Sequence, residues 1–213
     1  MLALFSAVSD SQEDGVRALS EMARPKLGPR PGAKNAMLNN YRYILERNWL
    51  GNGRAVNFVM LNPSTADDVV DDPTIRRCVG FAKRWLFDRL VVTNLFALRA
   101  TDPSELARLA LRDRNMAIGQ HNDLRISEAA ARCDVIVAAW GDQGQLADER
   151  AAEVLAGPLG GKLIYCIAKT FRGCPCHPVR AKYTDIPLVF RYCEHSRPVT
   201  PVQGETENTE ETK

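Results

Sequence analysis

Four short apolar runs punctuate the middle of the chain: RAVNFVML (54–61), RLVVTNLFA (89–97), DVIVAAW (134–140) and KLIYCIA (162–168). Each is rich in β-branched residues, and none shows the alternation of a sheet with one wet face. The pattern predicts strands covered on both sides, as in a parallel sheet. Between these runs the period becomes helical. Over 73–87, Ile75, Cys78, Val79, Ala82, Trp85 and Leu86 recur at helical spacing behind Asp72 as N-cap and Pro73 in the first turn. Over 103–111, Asp102 caps, Pro103 opens and Glu105 completes a capping-box-like pattern. Further helices are predicted over 116–132 and 146–156. YRYILERNW (41–49) alternates and is predicted as an edge strand. Strands and helices in this order imply an α/β fold, a three-layer sandwich with a central, mostly parallel sheet and helices on both faces.

The ends of the chain break the pattern. Residues 1–36, rich in Ser, Gly, Pro and mixed charge, read as a partly disordered N-terminal extension with one short helix around Gly15 to Arg24. Residues 37–196 form a single α/β domain in this reading, and 197–213 form a disordered acidic tail. PVQGETENTEETK sets four glutamates against one lysine, a net −3 that leaves +5 before it out of a formal total of +2. A mildly basic body permits phosphate contacts without requiring nucleic acid. The 213 residues suit one domain with a tail, and 45% hydrophobic with 25% charged residues matches a soluble globular chain. The start, MLALFSAVSDSQED, lacks the basic flank and cleavage site of a secretory signal, and no run is long enough for a bilayer. Six scattered cysteines read as reduced thiols, so a cytoplasmic protein with no membrane partner is expected.

In parallel sheets ligands bind beyond the carboxyl ends of the strands, so the residues just past each run are the candidates for a site. Those ends read Asn62-Pro63-Ser64-Thr65, Thr93-Asn94-Leu95, Trp140-Gly141-Asp142 and, in the last loop, Gly173-Cys174-Pro175-Cys176-His177-Pro178. The first is unusually polar. Between Asn62 and Asp72 stand an amide, two hydroxyls and the carboxylates of Asp67, Asp68, Asp71 and Asp72. Asn62 offers an acceptor and donors, Ser64 and Thr65 suit an oxyanion, Asn94 suits an amide-like base edge, and His177 suits a proton donor near neutral pH. Ordinary turn chemistry explains each of these residues taken singly.

LNPSTAD, DDPTIRRC, NLFALRATDP, AAWG and GCPCHP resemble, in order and rough spacing, the bacterial and phage family called domain of unknown function 1643, over about residues 38–180. A more distant resemblance is to the uracil-DNA glycosylase superfamily. It rests on a strand followed by an Asp/Asn-Pro loop, a strand ending in Asn, a strand ending in Trp-Gly, and a final His-Pro loop. That resemblance implies that Asn62 positions the attacking water, Asn94 reads the base and His177 stabilises the departing base. It also implies a glycosylase-like sandwich. This chain departs from the pattern in three ways. Met60 stands where the glycosylases usually have Gly, Val179 and Arg180 follow His-Pro where a phosphate-gripping serine is expected, and Asn62 cannot act as a general base.

Arg76 and Arg77 begin the helix after the first loop, Arg99 follows the Asn94 strand, and Arg172 and Arg180 bracket His177. Their planar forks suit phosphate, with Arg76, Arg99 and Arg180 as the substrate-binding candidates; a solvated helix face explains Arg77 equally well. Cys174, Cys176, Cys193 and His195, with His177, have ligand types for zinc but not the spacing of common fingers, so no metal is assigned. No cofactor is assigned either, since a Gly-rich phosphate loop and a dinucleotide fingerprint are both absent. Two functions remain open. One is a nucleobase- or nucleotide-directed enzyme that hydrolyses an N-glycosidic bond, with nucleic acid or a nucleotide as partner. The other is a non-catalytic nucleic-acid or nucleotide binder with the same fold. A base-flipping enzyme would want an apolar wedge after the His-Pro loop, where the chain offers only Val179 and the larger Tyr183.

Overall fold

The computed structural model describes residues 40–51, 53–63, 71–100 and 103–190. The predicted N-terminal extension and its helix, Ser64, Thr65, Asp67, Asp68, the Asp102 cap, Cys193, His195 and the acidic tail lie outside them.

The chain builds a mixed α/β fold on one six-stranded sheet. Strand β1 (Leu45–Asn48) lies at one edge, antiparallel to β3 (Arg89–Asn94). The next strands, β2 (Ala55–Met60), β4 (Val135–Ala138) and β5 (Ile164–Cys166), run parallel to β3, and β6 (Leu188–Val189) closes the far edge antiparallel to β5. The sheet order is β1-β3-β2-β4-β5-β6. Every residue of β2, AVNFVM, is buried, which is why this stretch carries no alternation.

Successive residues of the strands nevertheless feed two separate cores. Val56, Phe58 and Met60 join Val135, Val137 and Tyr165 under helix α1 (Pro73–Arg84), against Ile75, Cys78, Phe81 and Ala82. Val59 joins Ile136, Ala138, Ile164 and Cys166 on the opposite face. That face is covered by α2 (Pro103–Arg112), α3 (Arg114–Ile118), α4 (Asn122–Ala131) and α5 (Gln145–Ala156), through Leu106, Ala117, Ile126 and Val154.

Helix α1 starts as its sequence indicates. The Asp72 carboxylate accepts the Ile75 N–H at 2.7 Å and Pro73 occupies the first turn. It ends in a Schellman turn, with the Phe87 N–H donating to Ala82 O and the Leu86 N–H to Lys83 O. Leu86 takes the left-handed conformation (φ 59°) usually left to glycine. The single helix expected over 116–132 is instead two, α3 and α4, because Gly119 turns left-handed (φ 85°) with the Tyr41 ring 3.0 Å from where a Cβ would stand. The strands are shorter than the apolar runs, and β6 was not expected. Among the described residues no helix is long and apolar enough to cross a membrane.

Topology decides where a ligand can go. From β2 the chain crosses to β3 on one side and later to β4 on the other. With right-handed connections this reversal sends α1 and the α2–α4 segment to opposite faces. Their loops separate at the carboxyl ends of β2 and β4, which leaves a crevice there.

Candidate functional site

Register brings the polar strand ends level. Met60 pairs with Asn94, and Val59 with Ala138, so Asn62 and Trp140 emerge from adjacent strands at one edge. A cavity of about 170 Å³ opens there. Its wall includes Asn62, Asn94, Trp140, His177, Asp72 and Gln143. That is small beside the roughly 300–1,000 Å³ of a drug-sized pocket and fits a single ring system better than a whole nucleotide.

Asn94 is the most telling of these residues. It ends β3, is 2% exposed and lines the cavity. An amide on a cavity wall offers a donor and an acceptor to whatever enters. Its backbone is held from beneath. Asn122, the first residue of α4, donates from Nδ2 to Asn94 O and Leu95 O, each at 2.9 Å. Arg150 of α5, 2% exposed, adds Nε to Leu95 O at 3.0 Å and is neutralised by Asp123 and Glu153.

Asn62 is held in a different way. Its Nδ2 donates to Ala100 O at 2.8 Å and to Pro63 O at 3.1 Å. These two carbonyls fix the amide orientation and consume its donors. What Asn62 retains is Oδ1, an acceptor. Pro63, buried, also accepts the Ala100 N–H at 3.2 Å and ties this loop to the segment after β3.

The His177 loop is pinned from three sides. Cys176 N–H donates to Ala168 O (2.8 Å), Gly141 N–H donates to Pro175 O (3.0 Å), and Arg77 donates Nε to Pro178 O (3.2 Å) and Nη2 to Ala181 O. Gly141, at φ 81°, lies so close that an added Cβ would be 3.4 Å from the His177 Cβ. Arg77 is thus no solvated helix residue. Its guanidinium also lies 3.7 Å from the Tyr183 ring centroid. Tyr183 is packed on Phe81 as well, with ring centroids 4.9 Å apart, which removes it as a free wedge.

His177 Nδ1 accepts a long contact from Val179 N–H (3.4 Å), an arrangement that places the ring proton of the neutral form on Nε2. Burial first, and the Arg180 charge second, hold the imidazole below its usual pKa, with Asp72 pulling the other way. At neutral pH the ring is therefore an uncharged donor. Trp140, 1% exposed, is part of the wall, and its indole meets Phe190 edge to face at 5.7 Å.

Asn62, Asn94, Trp140 and His177 thus share one cavity, with Pro63 and Gly141 supporting it. Arg76, Arg99 and Arg180 are not part of its wall. Arg76 donates to Asp71 O at 2.6 Å, and the Arg99 N–H reaches Asn40 O at 2.8 Å. Arg172 pairs with Asp142 at 2.8 Å. Ser64 and Thr65 lie outside the described residues. Among the described residues no group of three His, Cys, Asp or Glu is placed to hold a metal ion. Burial pushes the Cys174 and Cys176 thiols up and keeps them protonated.

The sequence reading missed Arg42, Thr74 and Gln143 on the wall, and Asn122 and Arg150 beneath it. It preferred Asp72 as a cap over a carboxylate that compensates for Asn62, and Asp72 both caps α1 and lines the cavity. One of these was detectable: Arg150 stands on the apolar stripe of α5 with Ala147, Ala151 and Val154, a position where a charge signals a buried partner.

No curated protein and no solved structure matches the chain. A family model described as a protein of unknown function (DUF1643) matches residues 42–179, well over half of the chain. The chain belongs to the DUF1643 family.

Proposed function

We propose that this protein acts on a nucleobase, hydrolysing an N-glycosidic bond in the manner of DNA glycosylases, on a sandwich of the glycosylase type. The observation that carries the reading is the Asn94 amide on the wall of a ring-sized cavity that also holds Asn62, Trp140 and a neutral His177.

An amide at that depth pairs with the alternating donor and acceptor edge of a base, and the Trp140 indole supplies an apolar wall. As the bond from C1′ to the base nitrogen breaks, its electron pair leaves with the base. His177 Nε2–H and the Asn94 amide donate to the base as it turns anionic, and both bonds strengthen in the transition state. Asn62 Oδ1 accepts from a water whose oxygen then bonds to C1′, and the water's second proton passes to solvent. Asp72, a carboxylate on the wall, faces the developing sugar cation with negative charge. Exposed Arg76 and Arg180, with Arg99, hold phosphates outside the cavity. Chemistry of this kind needs no cofactor.

One feature favours a second reading, a binder without catalysis. Asn62 is not a carboxylate, and its donors are spent on Pro63 and Ala100 carbonyls. Released base separates the two readings. The protein is incubated with DNA containing uracil and other modified pyrimidines and with free nucleotides. His177→Ala and Asn94→Ala should each slow release by about 10² to 10³-fold, the usual cost of one such donor. Absence of release with every substrate, or release at the wild-type rate by both variants, leaves the binding module as the reading.

A further inference from the structure

The turn between Lys169 and Pro175 plays no part in the cavity chemistry, yet it carries the most exposed large apolar side chain among the described residues. Phe171 has a relative exposure of 107%. Its backbone is not free to fold the ring away. Thr170 N–H donates to Cys174 O (2.8 Å), Gly173 N–H donates to Thr170 O (2.9 Å), and Lys169 bridges Pro175. Next to it, Arg172 is tied to Asp142 (2.8 Å) and Asp148 (3.6 Å). A pinned turn thus holds an aromatic ring out in solvent.

The stem of this turn ends at the site. Pro175 O accepts the Gly141 N–H, and His177 comes two residues later. Phe171 stands two residues beyond the Lys169–Pro175 bridge, on the turn that this stem carries. Arg172 is paired with Asp142 and Asp148, but the other charged side chains of this stretch are cations. Lys169, Arg172, Arg180 and Lys182 are all exposed, and the sequence holds no acidic residue from Lys169 through Thr184. Exposed cations interleaved with a protruding aromatic ring are the features on which single-stranded nucleic acid rests, phosphates on the cations and a base on the ring.

We infer that Phe171 stacks on a base neighbouring the one that enters the cavity, so that the ligand is a single strand or an unpaired stretch of nucleic acid and not a free nucleotide. The inference rests on the cavity being a nucleobase site. A mononucleotide has no second base to reach Phe171, and a duplex shields its bases from it.

The test is fluorescence anisotropy of the full chain with a labelled single-stranded 12-mer at low salt, for wild type, Phe171→Ala, Phe171→Leu and Phe171→Trp. Base release is followed in parallel. With stacking, the alanine variant binds about five- to a hundredfold more weakly, leucine stays weak despite being apolar, and tryptophan binds at least as tightly as wild type. Full exposure of the ring lets all three variants fold. Alanine at wild-type affinity overturns the inference, as does leucine at wild-type affinity, which would indicate a protein or lipid contact. Failure of the wild type to bind any oligonucleotide overturns the inference, and if no base is released from free nucleotides either, the glycosylase reading falls with it. Tight, Phe171-dependent binding without base release supports the inference and removes only the glycosylase chemistry.

Discussion

His177 is asked to be a donor without being a cation, and its surroundings are arranged for that. Burial and Arg180 disfavour the imidazolium, while Asp72 offsets part of the effect. The folded pKa therefore lies below the unfolded value of about 6.5. Between the two, the unfolded chain binds a proton that the native protein refuses, so this histidine's contribution to stability is complete above the unfolded pKa and is lost as pH falls through the folded one. An NMR titration of the His177 ring should show a midpoint below 6.5. Asp72→Asn keeps a capping side chain and removes the opposing charge, which should move the midpoint lower still. Arg180→Gln should raise it. A midpoint above neutrality would mean a charged ring at the site and would rule out the neutral donor of the proposed chemistry.

Elements, more than single residues, separate what builds the site from what acts in it. Asn94 and Asn122 are both buried amides, one at the end of β3 and one at the start of α4. Asn94 lines the cavity, so Asn94→Ala should change stability by less than about 1 kcal/mol while weakening the binding proposed above. Asn122→Ala releases the Asn94 and Leu95 carbonyls, though Leu95 keeps Arg150 and the variant also removes an unpaired buried Oδ1. Urea unfolding should give a loss of about 1–2 kcal/mol. Equal losses for the two would make Asn94 a structural residue. The parallel strands were legible because burial on both faces leaves an unbroken apolar run, and α1 because Asp72-Pro73 and the Ile75-Cys78-Ala82 spacing agree. The break at Gly119 was not, since it depends on the distant Tyr41 ring. Convergence of Asn62, Asn94 and His177 could be anticipated from their places at strand ends. The hold of Arg77 on Pro178 and Ala181 could not, because helical spacing says nothing of a loop a hundred residues away.

At the scale of the whole molecule the question is where the basic charge acts. The formal charge of +2 hides a body at +5 and a tail at −3, and the cavity itself is walled mainly by neutral groups besides Arg42 and Asp72. In the proposed reading, phosphate contacts therefore belong outside the cavity. Arginines already committed to carbonyls inside the fold should not contribute. This divides the arginines by what each variant changes. Arg180 is exposed beside His177, and Arg76 is exposed on the first turn of α1. If they meet phosphate, the logarithm of the binding constant for a single strand should fall with the logarithm of salt by roughly 0.7 per contact, and Arg76→Ala and Arg180→Ala should each flatten that slope by about this amount. Arg77→Ala should leave the slope unchanged and lower the thermal unfolding midpoint, because Arg77 ties α1 to the His177 turn. Anisotropy titrations from low to moderate salt, alongside thermal melts of the same samples, decide the matter. A slope that stays steep in the Arg76 and Arg180 variants but collapses in the Arg77 variant would reverse the assignment and place the phosphate on the clamp between α1 and the last loop.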